Sequence, residues 1–137
     1  MQILRQVIGD RTDIIVFFEV PDTERILQEC AFWDIYYEHC SYFSPTSLTY
    51  LFQSCGFDIL DLTKGFDDQY LLIEAKPSER PSIPLRYPDD VSHLAQSIET
   101  FQVRYQDHIQ HWQQALQQLQ REAKRTVLWG AGSKAVA

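Results

Sequence analysis

The sequence predicts a mixed α/β protein, and three observations lead to this prediction. An uninterrupted apolar run at residues 14–18 is typical of a strand that is buried on both faces, as in a parallel sheet. Two further strand-like segments, residues 57–64 and 69–76, are joined by a short connection that contains Gly65, which favours an antiparallel hairpin. Residues 89–124 contain neither glycine nor proline and have helical periodicity, which predicts one long helix.

Three shorter helices are predicted from their start and stop signals. Their ranges are residues 3–8, 22–30 and 46–55. Gly9 and Gly56 are the expected C-terminal stops of the first and the third helix. Asp22 or Thr23 caps the second helix, and the Ser-Pro pair that begins at Ser44 starts the third.

The order of these segments predicts four regions. Residues 1–77 form an α/β unit, the proline-rich residues 78–88 form a linker, and residues 89–125 hold the long helix. Residues 126–137 read as a buried strand that enters a G-x-G-x-x-A turn, which predicts the first strand of a following Rossmann-like domain. Since a strand and a glycine turn cannot bury themselves, we expect the sequence to be a fragment of a larger protein.

The overall charge excludes two classes of partner. The formal net charge is −7 and the pI is near 4.9, whereas nucleic acids and anionic membranes require concentrated lysine and arginine. No apolar run approaches the ~20 residues that span a bilayer. The three cysteines, Cys30, Cys40 and Cys55, form no C-x-x-C pair, so we predict reduced thiols and a cytoplasmic protein.

Residues 36–45 carry the side chains that are best suited to acid–base chemistry. His39 follows Glu38, and three tyrosines flank the pair: Tyr36, Tyr37 and Tyr42. Such a group can remove a proton from a hydroxyl or an acidic C–H, because imidazole titrates near neutrality and a carboxylate can orient it. The alternative is a surface pair without chemistry. The neighbouring Cys40 is expected to pack rather than to react.

Four sequence elements, in this order, resemble the C-terminal part of a class I S-adenosylmethionine-dependent methyltransferase, and the sugar C-methyltransferase family most of all, while a fifth resembles the start of the C-terminal domain in the sugar C-methyltransferases. They are Phe-Glu-Val-Pro-Asp at 18–22, Tyr-x-Glu-His-x-Ser-Tyr-Phe-Ser at 36–44, Cys-Gly-Phe at 55–57, Gln-Tyr-Leu-Leu-Ile-Glu-Ala at 69–75, and Trp-Gly-Ala-Gly-Ser-Lys at 129–134. The resemblance implies the last strands of a Rossmann-like methyltransferase sheet, with an antiparallel hairpin at its end.

The resemblance also implies a function and a set of site residues. His39 would be the general base at the carbon that receives the methyl group, Glu38 its support, and Tyr36 a phenol that contacts the small-molecule substrate. The cofactor would be S-adenosylmethionine, and the acceptor a nucleotide-linked or related sugar. The glycine turn and the acidic residue that hold this cofactor in the family are missing ahead of Asp13. We therefore expect the isolated chain to be inactive and to bind no cofactor.

The long helix suggests an alternative function. Its apolar positions alternate in steps of three and four, which is a heptad seam. The seam residues are Val91, Leu94, Ile98, Phe101, Tyr105, His108, Trp112, Ala115 and Leu119. Such a seam must pack on another helix, in the same polypeptide or in a second copy, so the rival prediction is a non-enzymatic oligomerisation or adaptor module that uses residues 89–125. His108 and His111 lie one turn apart, but two ligands do not close a metal site, and no metal is predicted.

Overall fold

The computed structural model describes residues 1–79, 88–130 and 132, without the side chains of residues 88–90. Its elements, in chain order, are α1 (Gln2–Ile8), β1 (Val16–Pro21), α2 (Thr23–Glu29), a 3-10 turn (Phe32–Asp34), α3 (Pro45–Ser54), β2 (Phe57–Gly65), β3 (Tyr70–Pro77) and α4 (Pro88–Arg121). The protein is therefore a mixed α/β protein, as predicted. Residues 80–87 of the predicted linker, and most of the predicted glycine turn, lie outside the described residues.

The short helices form where their capping residues predict them. Gly9 ends α1 with a φ of 65°, a backbone conformation that costs glycine little. Asp22 caps α2, since its carboxylate accepts a hydrogen bond of 3.0 Å from a backbone N–H in the first turn. At the start of α3, Ser44 and Ser47 form a capping box in which each side chain accepts the backbone N–H of the other.

The three strands form one sheet in the order β1-β3-β2. β3 is antiparallel to both neighbours, so β1 and β2 run parallel to each other. The predicted hairpin is thus confirmed, and its second strand lies at the centre of the sheet. Ile73 of β3 pairs with Phe18 on one side and with Leu62 on the other.

One face of the sheet packs against α3 and forms the core. Leu48 and Phe52 of α3 lie on the buried β3 side chains Leu71, Ile73 and Ala75. Burial of each large apolar side chain contributes about 1.5–3 kcal/mol to stability. The ring of Phe18 also meets that of Phe52 edge to face at 5.5 Å, which ties β1 to the same core.

The prediction that the first strand is buried on both faces is wrong. Phe17 points to the opposite face and is 56% exposed. It stands beside Glu74 and Asp61, which are exposed as well. Side chains alternate between the two faces of a sheet, and the helices that pack on this sheet cover only one of them. β1 is also an edge strand of the described sheet, because among the described strands it pairs with β3 alone.

The turn between β2 and β3 is built by residues other than the predicted glycine. Phe66, Asp67 and Asp68 have φ values of 55°, 55° and 60°, so three residues other than glycine adopt the left-handed conformation. Gly65 is needed for space instead, since a Cβ atom there would lie 2.8 Å from Cδ1 of Leu72.

The predicted strand at residues 126–129 is not formed. Residues 124–130 have no regular secondary structure, and Trp129 is 99% exposed. A strand needs a neighbour for its backbone hydrogen bonds, and no other strand of the described residues pairs with this segment. The first strand of a following domain is therefore absent from the described fold.

α4 is the predicted long helix, and it rests on α2 and the 3-10 turn. Arg104 donates a hydrogen bond of 3.4 Å to the backbone oxygen of Leu27, and the ring of Phe32 contacts Tyr105 at 5.2 Å and His108 at 6.3 Å. No side chain described in α4 is fully buried. Among the described helices, α4 included, none combines the length and the apolar character that a membrane span requires.

Candidate functional site

The strand directions bring several chain segments together at one edge of the sheet, which we call the carboxyl edge. β1 and β2 both end there, since Pro21 and Gly65 each pair with Tyr70 at the start of β3. In sheets with parallel strands and covering helices, ligands bind at the carboxyl ends of the strands. A ligand site is therefore expected at this edge.

The loop of residues 36–43 is attached to this edge. Thr23 donates its backbone N–H to the oxygen of Phe43 at 3.0 Å, and Asp22 forms an isolated parallel bridge with Phe43. At the other end of the loop, the guanidinium of Arg25 contacts the buried Asp34 carboxylate at 3.2 Å. Thr23 and Arg25, both in the first turn of α2, thus hold the two ends of the loop.

Within this loop Tyr36, His39 and Tyr42 form an aromatic group, the His39 cluster. The His39 ring lies on the Tyr36 ring, with centroids 4.3 Å apart and planes 32° apart, and it meets Tyr42 edge-on at 6.0 Å. The Tyr42 hydroxyl accepts the backbone N–H of Tyr36 at 3.1 Å and donates to its carbonyl oxygen at 3.4 Å. A further bond of 3.0 Å, from His39 N–H to Tyr36 O, closes the turn. Tyr42 therefore shapes the turn that carries the imidazole.

The two nitrogens of His39 have different surroundings. Nδ1 is shielded from solvent and has no hydrogen-bond partner among the described residues. A shielded atom cannot reach a ligand, so Nε2 is the nitrogen through which this imidazole can exchange a proton with one.

The other predicted members of the site lie apart from the imidazole. Glu38 is exposed, and no hydrogen bond or ion pair in the described part of the chain joins it to His39. Tyr37 is 97% exposed. Cys40 is also exposed, which contradicts the expectation that it packs, because residues 36–40 form a turn rather than an extended segment. Of the predicted residues, the structure thus brings Tyr36 and His39 together and leaves Glu38 outside.

An ion pair that the sequence reasoning missed lies at the same edge. Asp22 is fully buried, and its second carboxylate oxygen lies 2.6 Å from Nζ of Lys64 at the end of β2. This hydrogen bond raises the pKa of Lys64 above its ordinary value, against the opposing effect of partial burial. The signal was available, because each residue comes at the carboxyl end of one of two parallel strands.

The histidines of α4 do not form a site. Arg104, Asp107, His108 and His111 line a shallow, open depression whose walls belong to this single helix. No group of three or more metal-ligating side chains occurs within residues 1–79, 88–130 and 132. A depression without a second wall cannot enclose a ligand, so we assign no chemistry to it.

The described residues do not fit S-adenosylmethionine. In the part of the chain that the structure covers, no strand leads through a glycine-rich turn into a helix: β1 continues through Pro21 and Asp22, and β2 enters the hairpin. Gly130 and Gly132 follow a segment that is not a strand. The described residues therefore offer no cradle for this cofactor.

Neither a model of a known protein family nor a curated protein matches this chain at a significant level. The geometry of the carboxyl edge and the resemblance of the sequence elements are thus the two sources for a functional proposal.

Proposed function

We propose that residues 1–79 are the acceptor-binding part of an S-adenosylmethionine-dependent methyltransferase that acts on a small molecule. The observation that carries the proposal is the attachment of the His39 cluster to the carboxyl edge of two parallel strands. The resemblance implies an antiparallel final strand in an otherwise parallel sheet, and the direction of β3 agrees with that. An imidazole at the carboxyl edge also lies where an α/β sheet binds its ligands.

The chemistry proposed for this edge is general-base catalysis. Nε2 of His39 accepts a proton from the carbon beside a keto group of the acceptor, and the Tyr36 phenol contacts the acceptor beside it. S-adenosylmethionine, which the described residues do not hold, would supply the methyl group when bound to the rest of the polypeptide. Asp22 is not available as the base, because one carboxylate oxygen caps α2 and the other binds Lys64.

The acceptor class follows from the resemblance, which favours a nucleotide-linked sugar with a keto group. The cofactor half is not among the described residues, so the proposal concerns a polypeptide in which this sequence is joined to a cofactor-binding half. The 137-residue chain alone is proposed to be inactive.

The test is a methyl-transfer assay on that joined polypeptide, with methyl-labelled S-adenosylmethionine and a panel of nucleotide-linked keto sugars. We expect His39→Asn to lower kcat by about 10²–10⁴-fold, the usual contribution of a general base. Tyr37→Phe is the matched control, since this neighbouring ring is exposed and lies outside the cluster. Its kcat should stay within about twofold of the parent's.

Three outcomes would count against the proposal. The first is equal activity of the His39→Asn and Tyr37→Phe proteins, and the second is no labelled product from the parent with any acceptor. The third is methyl transfer by the 137-residue chain alone, which serves as the negative control. Thermal unfolding of each variant shows whether a lost activity reflects a lost fold, and Tyr36→Phe, which removes one hydroxyl and keeps the stacked ring, gives a second measurement in a folded protein.

A further inference from the structure

The hydroxyl of Tyr42 links the two arms of the loop of residues 36–43. It accepts the backbone N–H of Tyr36 at 3.1 Å and donates to the backbone oxygen of the same residue at 3.4 Å. That oxygen also accepts the backbone N–H of His39 at 3.0 Å. One phenol thus engages both backbone groups of the residue at which the His39 turn begins, and phenylalanine could form neither hydrogen bond.

Tyr42 lies next to backbone that two helices hold in place. The following residue, Phe43, accepts the backbone N–H of Thr23 in α2 at 3.0 Å, and Ser44 then caps α3. Three side chains of the turn itself are exposed, namely Tyr37, Glu38 and Cys40. The hydroxyl of Tyr42 therefore connects a turn whose side chains are mostly exposed to an anchored part of the chain.

The ring of Tyr42 also borders the imidazole. It meets His39 edge-on with centroids 6.0 Å apart, and the Tyr36 ring lies against the other ring contact of the imidazole at 4.3 Å. A rotation of the imidazole about its side-chain bonds would lose both contacts and would move Nδ1 out of its shielded position. The two tyrosines therefore determine the orientation of His39, and Tyr42 holds Tyr36 by its backbone.

We propose that Tyr42 is the positioning residue of the His39 cluster. Its single hydroxyl proton is donated to the Tyr36 oxygen, so the phenol acts through the turn and not as an acid of its own. The inference rests on the proposed function, because the placement of His39 matters to catalysis only if this imidazole is the base. A misplacement of about 1 Å can cost ~10²-fold in rate. Since Tyr42→Phe keeps the ring, we expect a smaller loss of about 10-fold in kcat.

The first measurement is proton NMR of the 137-residue chain, which requires no cofactor. Protons that lie over the face of an aromatic ring resonate upfield, so the ring protons of His39 report the contact with Tyr36. His39→Asn identifies these signals among the 4 histidines. Tyr42→Phe should move them toward the positions of a free histidine. Tyr37→Phe is the matched control, since it removes a hydroxyl from a 97% exposed ring of the same loop and should leave them in place.

The same spectra separate positioning from a purely structural role. The methyl signals of the buried Leu71 and Ile73 show whether each variant is folded. A hydroxyl that only stabilises the fold would lower the melting temperature of Tyr42→Phe and leave the His39 signals of the folded protein where they are. Unchanged His39 signals in folded Tyr42→Phe overturn the inference.

The second measurement is the methyl-transfer assay on the joined polypeptide. Tyr42→Phe should lower kcat about 10-fold and change KM by less than about twofold, because its hydroxyl is bonded within the loop and not to the acceptor. An unchanged kcat for Tyr42→Phe, together with a loss for His39→Asn, overturns this inference and leaves the proposed function standing. A change confined to KM has the same meaning. A parent that transfers no methyl group overturns both.

Discussion

At the scale of single residues, the contact between Lys64 and Asp22 has a measurable effect on stability. Removal of the ammonium in Lys64→Met leaves a fully buried carboxylate without its counter-ion. Loss of a partner inside a protein costs ~3–5 kcal/mol, and the partial exposure of Lys64 reduces this to ~1–3 kcal/mol of the free energy of unfolding. Lys124→Met is the control, because it removes a lysine from an exposed pair with Glu122 and should destabilise the protein much less than Lys64→Met does. Chemical denaturation measures the free energy of unfolding of both variants. Equal values for Lys64→Met and Lys124→Met would contradict the structural role of the contact between Lys64 and Asp22.

The raised pKa of Lys64 also predicts the pH dependence of this contribution. A lysine whose pKa is higher in the folded than in the unfolded protein stabilises the fold fully below the unfolded value of ~10.4. The contribution is lost as the pH rises through the folded pKa. The difference in unfolding free energy between the parent and Lys64→Met should therefore be constant at neutral pH and shrink above about pH 10.4. A difference that grows in this range would reverse the sign of the assigned shift.

The candidate site was predictable at this scale only where the residues are close in sequence. The sequence pattern places Tyr36 and His39 in one site, and their ring contact follows because a turn brings residues three apart together. Adjacency misled for Glu38, because a side chain next to the imidazole in sequence can point away from it in a turn. Lys64, the partner of Asp22, lies 42 residues further along the chain, and only the directions of the two strands bring it near.

At the scale of elements, the capping box of α3 should contribute to stability on its own. Ser44→Ala removes the side chain that accepts the Ser47 N–H, and this kind of loss typically costs about 1 kcal/mol. Ser54→Ala at the other end of the helix is the control, because its exposed hydroxyl bonds only the oxygen of Leu51 and should change stability by less than ~0.5 kcal/mol. Urea denaturation measures the free energy of unfolding of both variants. A loss for Ser44→Ala no larger than that for Ser54→Ala would show that the capping box is redundant.

Element ends were predictable because their causes are local. Gly9, Asp22 and Ser44 act on backbone groups within one turn of their own positions, so the sequence alone marks the helix limits. The two predictions of elements that the described fold does not bear out concern neighbours in space. Whether both faces of β1 are covered, and whether residues 126–129 become a strand, depends on what other segments pack there.

At the scale of the whole molecule, stability should be distributed unevenly. β3 is bonded on both sides and carries much of the core, whereas residues 109–121 of α4 contain no buried side chain. We expect hydrogen exchange to proceed from a global opening for the amide of Ile73 and from local opening for this half of α4. Exchange measured by mass spectrometry tests this in dilute solution. Equal protection of both regions would contradict the expectation.

The central position of the last strand has a consequence for synthesis on the ribosome. Among the described strands β1 pairs with β3 and not with β2, so it gains this neighbour only when Tyr70–Pro77 has been made. At ~5–20 residues per second, the stretch from the end of β1 to the end of β3 takes on the order of 3–10 s to translate. The edge of β1 that later pairs with β3 thus stays unpaired for seconds, a period in which a chaperone can engage it before the sheet closes.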